Sequence, residues 1–435
     1  MAGHERGQRT DRIAAMRLAV VGSGVAGLAC AHLLGPHHDV VLFEADRRLG
    51  GHANTVDVDD PAAGPLAVDT GFIVHNDRNY PHLQRLLADL GVSAIDSEMS
   101  FAVTDRATGF CYRATNLDTL LASRANALDP RLWRMLADII RFQRAGRRFL
   151  ASDPDPTVPL ARFLADGRYS DAFVDLHLIP MGAAVWSADP ATFDRFPAAS
   201  LLHFLHNHGL LSIGDRPQWK TIVGGSRAYV EALARRFRGE IRLASPVTEV
   251  ARPAEGANGV TIRSRTHPEP EPFDQVILAT HSDQALDLLA DPTPEEKELL
   301  GAVRYQPNQA TLHTDTSLLP PRRKAWAAWN YDREAGHQRL AALTYDLTNL
   351  QRLPGARRYL VSLNSDHRIR PDTVLARFDY AHPVFDGPAV AAQPRIAAAN
   401  GLRNTWFAGA WLGYGFHEDG MASAVAVCRQ LGARW

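Results

Sequence analysis

The chain has 435 residues and a formal net charge of −1; 46% of its residues are hydrophobic and 22% are charged. This composition is that of an ordinary soluble globular protein, and the length exceeds what one simple core takes, so two or three lobes are expected. The near-zero net charge provides no general attraction for nucleic acid, and no nucleic-acid partner is expected.

The cysteine content and the hydropathy of the chain exclude several further classes of protein. Cys30, Cys111 and Cys428 form no C-x-x-C pair, which excludes a disulfide scaffold and a cysteine zinc site and suits a reducing compartment. No apolar run reaches the roughly 20 residues that span a bilayer. Residues 1–15 are polar and lack the apolar core of a signal peptide, so we expect a disordered N-terminus and a cytoplasmic protein.

A strand–turn–helix pattern follows this N-terminus. Leu18–Val21 is a short apolar run typical of a buried parallel strand, and Val25–Leu34 has the spacing of a helix. Between them, Gly22-Ser23-Gly24-Val25-Ala26-Gly27 fits G-x-G-x-x-G. The first glycine permits a tight turn, the second lets a pyrophosphate approach the backbone, and the third lets the helix pack closely. The N–H groups at Val25 and Ala26 would then face that pyrophosphate.

A second strand, Asp39–Phe43, ends at Glu44, whose carboxylate is placed to bind the hydroxyls of an adenosine ribose. The chain continues as Glu44-Ala45-Asp46-Arg47-Arg48-Leu49-Gly50-Gly51-His52, the E-x-x-x-x-x-G-G pattern of two-dinucleotide-binding-domain flavoproteins. Here the chain resembles the flavin-dependent amine oxidase superfamily, which includes amine oxidases, phytoene desaturases and protoporphyrinogen oxidases. The resemblance implies FAD rather than NAD, with the turn from Arg47 to His52 against the pyrophosphate and flavin.

The resemblance extends to Asp69-Thr70-Gly71-Phe72-Ile73-Val74-His75-Asn76, which in the superfamily returns the chain to the flavin. It therefore implies that Thr70, Gly71 and Phe72 contact the cofactor. The sequence of this stretch also resembles that of a subgroup of flavoproteins found beside, or fused to, cyclopropane-fatty-acid synthases. This subgroup includes a desaturase of furan fatty acid synthesis. Further along, the backbone at Val247 stands where the superfamily holds the adenine.

The C-terminal stretch, residues 404–423, resembles the second FAD motif of the superfamily. A strand at Thr405–Ala408 runs into a glycine turn, and a helix begins at about Glu418. The resemblance implies that Gly409 meets the pyrophosphate and that the helix N-terminus, near Gly420 and Met421, faces the flavin and stabilises its reduced form. No cysteine lies between Asn404 and Met421, so the FAD is expected to be non-covalent.

The expected architecture is therefore an α/β, Rossmann-like, two-dinucleotide-binding-domain flavoprotein with a discontinuous α+β substrate lobe. We expect the FAD-binding domain in residues 16–80, 216–300 and 401–435, and the substrate-binding domain, with a helical cap, in residues 81–215 and 301–400. A three-strand meander is expected at Glu240–Leu243, Val247–Ala251 and Gly259–Ser264. Antiparallel strands are expected at Gln309–Thr314, Trp326–Trp329, Ala341–Tyr345 and Tyr359–Leu363.

A long helical stretch, Asn116–Leu150, is both basic and amphipathic. Its apolar face would consist of Leu132, Leu136, Ile139, Ile140 and Phe149, and its arginines are Arg134, Arg141, Arg144, Arg147 and Arg148. Such a helix is either a domain helix with a solvated charged face or a contact with an anionic membrane surface. The second interpretation would place the protein on the inner face of the membrane.

The subgroup resemblance implies dehydrogenation of an acyl chain, such as that of a methylated or cyclopropanated phospholipid. This reaction needs a base, and the titratable candidates are His417, Glu418, Tyr414 and His75. His417 is preferred because histidine exchanges protons near neutral pH. His203, His206 and His208 lack an acidic neighbour or a fourth ligand, so no metal is expected.

Two alternatives remain open. The first is an amine oxidase, whose flavin-side lysine would have to be Lys220 or Lys324. The second is a flavin-bound accessory partner of a lipid methyltransferase.

Overall fold

The computed structural model describes residues 14–212, 214, 216–253, 258–333 and 340–435. Most of the expected disordered N-terminus, residues 1–13, lies outside the described residues.

The strands are β1 (Arg17–Val21), β2 (Asp39–Phe43), β3 (Thr55–Asp60), β4 (Gly64–Asp69), β5 (His75–Asn76), β6 (Ala94–Asp96), β7 (Phe101–Asp105), β8 (Phe110–Arg113), β9 (Trp219–Ile222), β10 (Glu240–Arg242), β11 (Val247–Ala251), β12 (Val260–Ser264), β13 (Glu271–Phe273), β14 (Gln275–Leu278), β15 (Arg304–His313), β16 (Trp329–Arg333), β17 (Ala342–Asp346), β18 (Leu360–Leu363), β19 (Val374–Val384) and β20 (Thr405–Phe407).

The helices are α1 (Val25–Leu34), α2 (Pro81–Leu90), α3 (Leu117–Leu120), α4 (Pro130–Ala151), α5 (Leu160–Gly167), α6 (Asp171–Phe173), α7 (Ile179–Trp186), α8 (Ala198–Asn207), α9 (Arg227–Arg236), α10 (Ser282–Leu288), α11 (Pro294–Ala302), α12 (Leu347–Leu350), α13 (Gly387–Ala399) and α14 (His417–Gln430). Val174–Leu178 is a π-helical segment, and short 3₁₀ turns include Arg124–Leu128, Pro190–Arg195, Arg323–Ala325 and Ala410–Leu412.

A parallel sheet with the strand order β10-β2-β1-β14-β20 forms the base of the molecule. Alternate residues of its strands face opposite layers: Leu18 and Val20 pack with α1 and α14, whereas Ala19 and Val21 pack with α10, α11 and α13. Because helices cover both faces of this sheet, both sets of alternating side chains are buried, and the central strands are continuous apolar runs. The α/β fold class with this parallel sheet is confirmed.

One strand assignment was wrong. Glu240–Leu243 was expected to open an antiparallel meander, but β10 pairs parallel with β2 at the edge of the main sheet. The meander consists instead of β11, β12 and β13. A short alternating strand fits either sheet, and its pairing with β2 is fixed by tertiary structure rather than by neighbours in sequence.

A second, mixed sheet has the strand order β19-β15-β18-β17-β16-β7-β8. The strands β15, β18, β17 and β16 pair antiparallel as expected, although β7 adds parallel to β16. The strand expected at Trp326–Trp329 begins only at Trp329, because Arg323–Ala325 is a 3₁₀ turn and Trp326 Nε1 donates to Pro320 O at 2.8 Å. The division into FAD-binding and substrate-binding domains stays a prediction.

The helices α4 to α8 form a lobe on this sheet. The apolar face expected for α4 was partly wrong: Leu132, Met135 and Phe142 are its buried apolar residues, while Ile140 is 42% exposed. Asp138 is buried because its carboxylate accepts bonds from Ser170 N at 2.9 Å and Ser170 Oγ at 2.7 Å. A periodicity count cannot detect a buried acid of this kind.

None of the helices in the described ranges is long and apolar enough to cross a membrane.

Candidate functional site

The first glycine turn lies at the carboxyl end of β1. Gly22 adopts a φ of +97°, and a Cβ on Gly27 would lie 1.8 Å from Gly22 O, so both positions require glycine. At Gly24, the N-cap of α1, a Cβ would meet no heavy atom within 4 Å. Gly24 therefore borders open space at the N-terminus of α1, at Val25 and Ala26, which suits an anionic group.

Glu44 closes one side of this space. Its carboxylate accepts bonds from Ser23 N at 2.8 Å, from Ser23 Oγ, and from Asp46 N at 2.8 Å. These bonds fix the carboxylate at the end of β2. Ala45, beside it, is exposed.

The arginine-glycine turn packs against the first turn. Gly50 N donates to Ser23 O at 3.0 Å, and a Cβ on Gly51 would lie 3.2 Å from Gly24 Cα. Arg48 donates to Gly51 O at 2.8 Å and to Ala53 O at 3.2 Å, whereas Arg47 is exposed. The structure therefore brings Arg48, and not the expected Arg47, onto the turn, and no sequence pattern distinguished these adjacent arginines.

The second glycine turn meets the first. Gly409 N donates to Ser423 Oγ at 2.9 Å, which ties the turn to the first turns of α14. A Cβ on Gly420 would lie 2.7 Å from Val25 Cγ1, so the N-termini of α1 and α14 converge. Met421 is fully buried beneath them.

The segment after β4 passes directly over the arginine-glycine turn. A Cβ on Gly71 would lie 2.2 Å from His52 O, and Phe72 N donates to that carbonyl at 2.8 Å. Thr70 Oγ1 is 3.0 Å from Tyr380 Oη and accepts a bond from Asn54 Nδ2 at 2.8 Å. Tyr380 belongs to β19, so the mixed sheet closes this side of the site.

Val247 begins β11 beside the end of β2. Ser245 N donates to Glu44 O at 2.9 Å, and Ala244 N donates to Asp46 O at 2.8 Å. These bonds hold the start of β11 next to the Glu44 carboxylate, where the adenine end of a dinucleotide is expected.

His417, the preferred base, is held on two sides. Its ring stacks on Phe72 with centroids 3.6 Å apart, and its Nε2 is 3.1 Å from the hydroxyl of the buried Tyr229. Burial lowers the pKa of His417 to about 3, with a smaller contribution from His75. The imidazole is therefore neutral at physiological pH, as a base must be.

His75 and Tyr414 lie close to the same region. His75 Nδ1 is buried and has no hydrogen-bond partner among the residues that the structure describes, and burial lowers the pKa of His75 to about 4. Tyr414 is half-buried; its carbonyl accepts a bond from Trp186 Nε1 at 3.0 Å. Burial raises the pKa of Tyr414, so its phenol is neutral.

A cluster of rings around His52 was not predicted. His52 stacks on Tyr380 with centroids 4.8 Å apart, and His382 and His281 lie at 5.5 and 6.2 Å. Burial lowers the pKa of His52 well below its ordinary value and lowers the pKa of His382 to about 4. Tyr380 and His382 belong to β19, far along the chain from His52, so no local pattern could reveal the cluster.

The residues present fit FAD. Gly24 borders open space, His52 Nε2 has no hydrogen-bond partner within the described part of the chain, and His52, Phe72 and His417 keep part of their surface uncovered. Uncovered surface and unpaired polar atoms in the interior call for a bound polar group. Glu44 would hold the ribose, the two glycine turns the pyrophosphate, and the region from His52 to His417 the flavin.

Of the two lysines considered for an amine oxidase, Lys220 of β9 lies opposite His75 of β5, and Lys324 lies in the 3₁₀ turn Arg323–Ala325. Lys220 Nζ forms an ion pair with Asp96 at 2.9 Å, and Lys324 Nζ forms one with Asp118 at 2.8 Å. Of the histidines considered for a metal, His203 and His206 are exposed, and His208 stacks on Phe204 with centroids 4.0 Å apart. In the described ranges, no group of histidine, cysteine and acidic side chains is arranged to hold a metal ion.

A sequence profile of the family described as flavin containing amine oxidoreductase matches residues 25–431. The match runs from the first residue of α1 to the end of α14, includes the arginine-glycine turn and the second glycine turn, and confirms the resemblance to the family.

Solved structures with the same fold cover almost the whole chain. A CLA-producing fatty acid isomerase from P. acnes superposes with a TM-score of 0.68 at 17% identity, covering 95% of this chain and 98% of its own. Wild-type putrescine oxidase bound to putrescine gives 0.67 at 16%, covering 96% and 99%. Cyclohexylamine oxidase from Brevibacterium oxydans gives 0.65 at 18%, also covering 96% and 99%. At these identities the likeness shows the fold.

Proposed function

Because the chain belongs to the flavin containing amine oxidoreductase family, we propose that it is an FAD-dependent dehydrogenase that desaturates the acyl chain of a lipid. Membership of the family makes the protein a flavoenzyme with FAD as its cofactor. The acyl substrate and the desaturation are our proposal, as is non-covalent attachment of the FAD.

The observation that carries the proposal is an aromatic wall beside the residues assigned to the flavin. Trp186 of α7 and Phe204 of α8 have ring centroids 4.7 Å apart, and Phe204 stacks on Phe416 at 5.1 Å. Phe416 directly precedes His417. Trp186 and Phe204 are packed in the core and Phe416 keeps part of its surface uncovered, so the interior beside His417 is apolar and suits a hydrocarbon chain.

Desaturation removes a hydride and a proton from adjacent carbon atoms. Bound FAD supplies the two-electron acceptor for such a reaction. The chain itself must supply the base, and His417 and His75 are neutral imidazoles at this position. Nε2 of His417 is 3.1 Å from the Tyr229 hydroxyl, and His75 Nδ1 has no hydrogen-bond partner among the described residues. A ring nitrogen without a partner is able to accept a proton, so His75 is the second candidate.

The comparisons support more than one substrate class. The fatty acid isomerase from P. acnes is named for an acyl substrate, while putrescine oxidase and cyclohexylamine oxidase are named for amines. The ion pairs of Lys220 and Lys324 favour the acyl substrate, because each ammonium group is bound to a carboxylate, although Lys220 lies opposite His75. Amine oxidation is the second candidate function, and an accessory role beside a lipid methyltransferase is the third.

Anaerobic reduction of the flavin tests the three candidates. The FAD-loaded protein is mixed with detergent-dispersed phospholipid carrying a methyl-branched or cyclopropane acyl chain, with the unbranched phospholipid, and separately with putrescine or cyclohexylamine. Bleaching of the flavin by the modified lipid, with loss of two hydrogens by mass spectrometry, is the expected result. Bleaching by an amine alone would replace the proposal with amine oxidation, and bleaching by neither would favour the accessory role.

We also propose that the enzyme takes its substrate from a membrane and works at the inner surface of that membrane. The acyl chain of a phospholipid resides in a bilayer, so an enzyme that oxidises it must reach the bilayer surface.

A further inference from the structure

Large apolar side chains are exposed around the start of α4. Leu128 is 89% exposed, Leu117 59%, Trp133 49% and Ile140 42%. These side chains account for four of the nine large hydrophobic residues exposed in the described part of the chain, and they fall within 24 residues. Scattered exposed leucines need no explanation, but a cluster of this kind marks an interaction surface.

Hydrogen bonds fix the Trp133 indole and the turn that carries Leu128. Trp133 Nε1 donates to Ala127 O at 2.9 Å, which fixes the indole beside Leu128. Asn126 Nδ2 donates to Leu120 O at 3.0 Å and to Cys111 O at 2.8 Å, which fixes the 3₁₀ turn against α3 and β8. The exposed apolar groups are therefore presented by an ordered surface.

The solvent-facing side of α4 is strongly basic. Its sequence contains Arg131, Arg134, Arg141, Arg144, Arg147 and Arg148 but a single acidic residue, the buried Asp138. Arg131 pairs with Asp129, Arg141 with Asp138, and Arg147 donates to Leu211 O. Arg134, Arg144 and Arg148 are exposed and have no ion pair or hydrogen bond with the described residues, so their charge is available to a partner.

The arginines and the apolar groups share one stripe. Trp133, Ala137, Ile140 and Arg144 follow one another at helical spacing and are all exposed. Leu128 and Leu117 extend the apolar part beyond the N-terminus of α4, while Arg144 and Arg148 extend the basic part toward its C-terminus. We call the surface formed by Leu117, Leu128, Trp133, Ile140, Arg134, Arg144 and Arg148 the α3–α4 face.

We infer that the α3–α4 face docks on a bilayer that contains anionic phospholipid. Indole and leucine side chains insert at the boundary between headgroups and acyl chains, and arginines bind the phosphates around them. Charge complementarity identifies the occupant. Three arginines without ion pairs among the described residues, no exposed carboxylate on α4, and an Asp118 on α3 that is neutralised by Lys324 match a negatively charged, planar surface with an apolar interior. Separate protruding anchors, rather than a groove, suit insertion into lipid.

This inference deepens the proposed function and rests on it in one respect, the origin of the substrate in a bilayer. The opposite face of α4 packs Leu132, Met135 and Phe142 in the same core as Trp186 and Phe204. Docking through the α3–α4 face would therefore bring the aromatic wall toward the membrane. The binding itself does not depend on which substrate is oxidised.

Vesicle co-sedimentation of the FAD-loaded protein tests the inference. The probes are vesicles of equal parts phosphatidylglycerol and phosphatidylcholine, and vesicles of phosphatidylcholine alone, at low and at physiological salt. We expect binding to the anionic vesicles that weakens as salt rises. Replacing Arg134, Arg144 and Arg148 together by serine should weaken binding by about 100-fold, at roughly fivefold for each arginine.

Matched variants separate this face from general effects of charge and hydrophobicity. Arg238, Arg265 and Arg357, replaced together by serine, remove the same charge from other exposed positions, and Leu402→Ala removes a 64% exposed leucine elsewhere. Leu128→Ala and Trp133→Ala should each weaken binding, whereas these controls should not. Leu128→Ala leaves the bonds of Trp133 in place, so it serves if Trp133→Ala fails to fold.

Failure of wild-type protein to sediment with anionic vesicles at low salt would overturn the inference, and so would equal weakening by the control variants. Flavin reduction by detergent-dispersed lipid is measured separately. If the protein does not bind vesicles but its flavin is still reduced by lipid, only the docking inference is contradicted. If the protein binds vesicles but its flavin is not reduced by lipid, only the proposed substrate is contradicted.

Discussion

The imidazole of His417 lies flat against the ring of Phe72, with centroids 3.6 Å apart and planes inclined by 11°. The two residues come from opposite ends of the chain, one after the hairpin of β3 and β4 and the other at the start of α14. The hydroxyl of Tyr229, 3.1 Å from His417 Nε2, fixes the rotation of the ring. The candidate base therefore has a single orientation.

Replacing His417 by glutamine should slow anaerobic reduction of the flavin by lipid about 10²- to 10⁴-fold, the usual contribution of a general base. The measurement is stopped-flow bleaching of the flavin at saturating substrate. His75→Gln is the parallel variant, because its free Nδ1 makes it the second candidate. If His417→Gln reduces its flavin at the wild-type rate, His417 is not the base.

Tyr229→Phe tests whether Tyr229 positions the imidazole. The substitution removes the bond to His417 Nε2 and leaves the ring of residue 229 in the core. A positioning role predicts a lower rate of flavin reduction together with an altered pH profile of that rate. A fall in thermal stability alone would indicate a purely structural role.

The rate of flavin reduction should be independent of pH between about 5 and 8 as far as these histidines are concerned. Burial lowers the pKa of His417 to about 3 and that of His75 to about 4, so each imidazole is already the free base throughout this range. Activity should fall only as the pH drops toward these pKa values. A rate of reduction that titrates near pH 6.5 and loses this titration in His417→Gln would contradict the prediction.

Two glycine substitutions separate folding from cofactor binding. Gly27→Ala places a Cβ 1.8 Å from Gly22 O and should destabilise the protein by about 1–3 kcal/mol or more. Gly24→Ala meets no protein atom within 4 Å, so the cofactor-free protein should keep its melting temperature while its affinity for FAD falls. The measurements are thermal unfolding without FAD and titration of flavin fluorescence. An unchanged FAD affinity in Gly24→Ala would place the pyrophosphate elsewhere.

Glu44→Gln should weaken FAD binding roughly 10- to 100-fold, corresponding to the loss of a charged hydrogen-bond acceptor worth about 1.5–3 kcal/mol. The control is Glu240→Gln, in the neighbouring strand, whose carboxylate bonds to Arg242 at the surface. Flavin titration of both variants checks the prediction. Equal affinities would exclude Glu44 as the ribose ligand.

Asp69 should make the stability of the protein depend on pH. Burial raises the pKa of Asp69 to about 6, although bonds from Thr55 and Ser226 oppose the shift. Its contribution to stability is complete below the ordinary pKa of an aspartate and is lost as pH rises through 6. Between pH 4 and 7 the wild type should lose about 2.4 kcal/mol relative to Asp69→Asn, which cannot ionise. Urea unfolding across this range measures the difference, and a constant difference would contradict the prediction.

Local sequence patterns were sufficient for the elements around the cofactor. Glycine spacing and an apolar run predicted α1 from Val25 to Leu34 and β2 from Asp39 to Phe43, and both have these bounds. The helix α14 begins at His417, one residue before the expected start. These segments are specified by turn residues and by short-range hydrophobic periodicity, and both are visible within a few consecutive residues of the sequence.

Features that depend on tertiary pairing could not be predicted. The sequence of β10 resembled part of a meander, although β10 pairs with β2 at the edge of the parallel sheet. The strand β19 was not predicted, because Pro383 and several polar residues interrupt its apolar pattern; it pairs with β15 from Arg304 to His313. The ring cluster of His52, Tyr380 and His382 was missed for the same reason. Arg47 and Arg48 differ by one position, and only the folded turn distinguishes the exposed arginine from the bound one.

His38 Nε2 is 3.0 Å from Leu431 O, across 393 residues of sequence, and α1 packs along α14 in the same core. The first helix of the nucleotide fold thus completes its packing only against α14, which lies at the far end of the described sequence. A nascent chain, or a product truncated before α14, lacks one wall of the cofactor site. Loading of FAD should therefore follow synthesis of α14, and the bound flavin should stabilise the contact between α1 and α14.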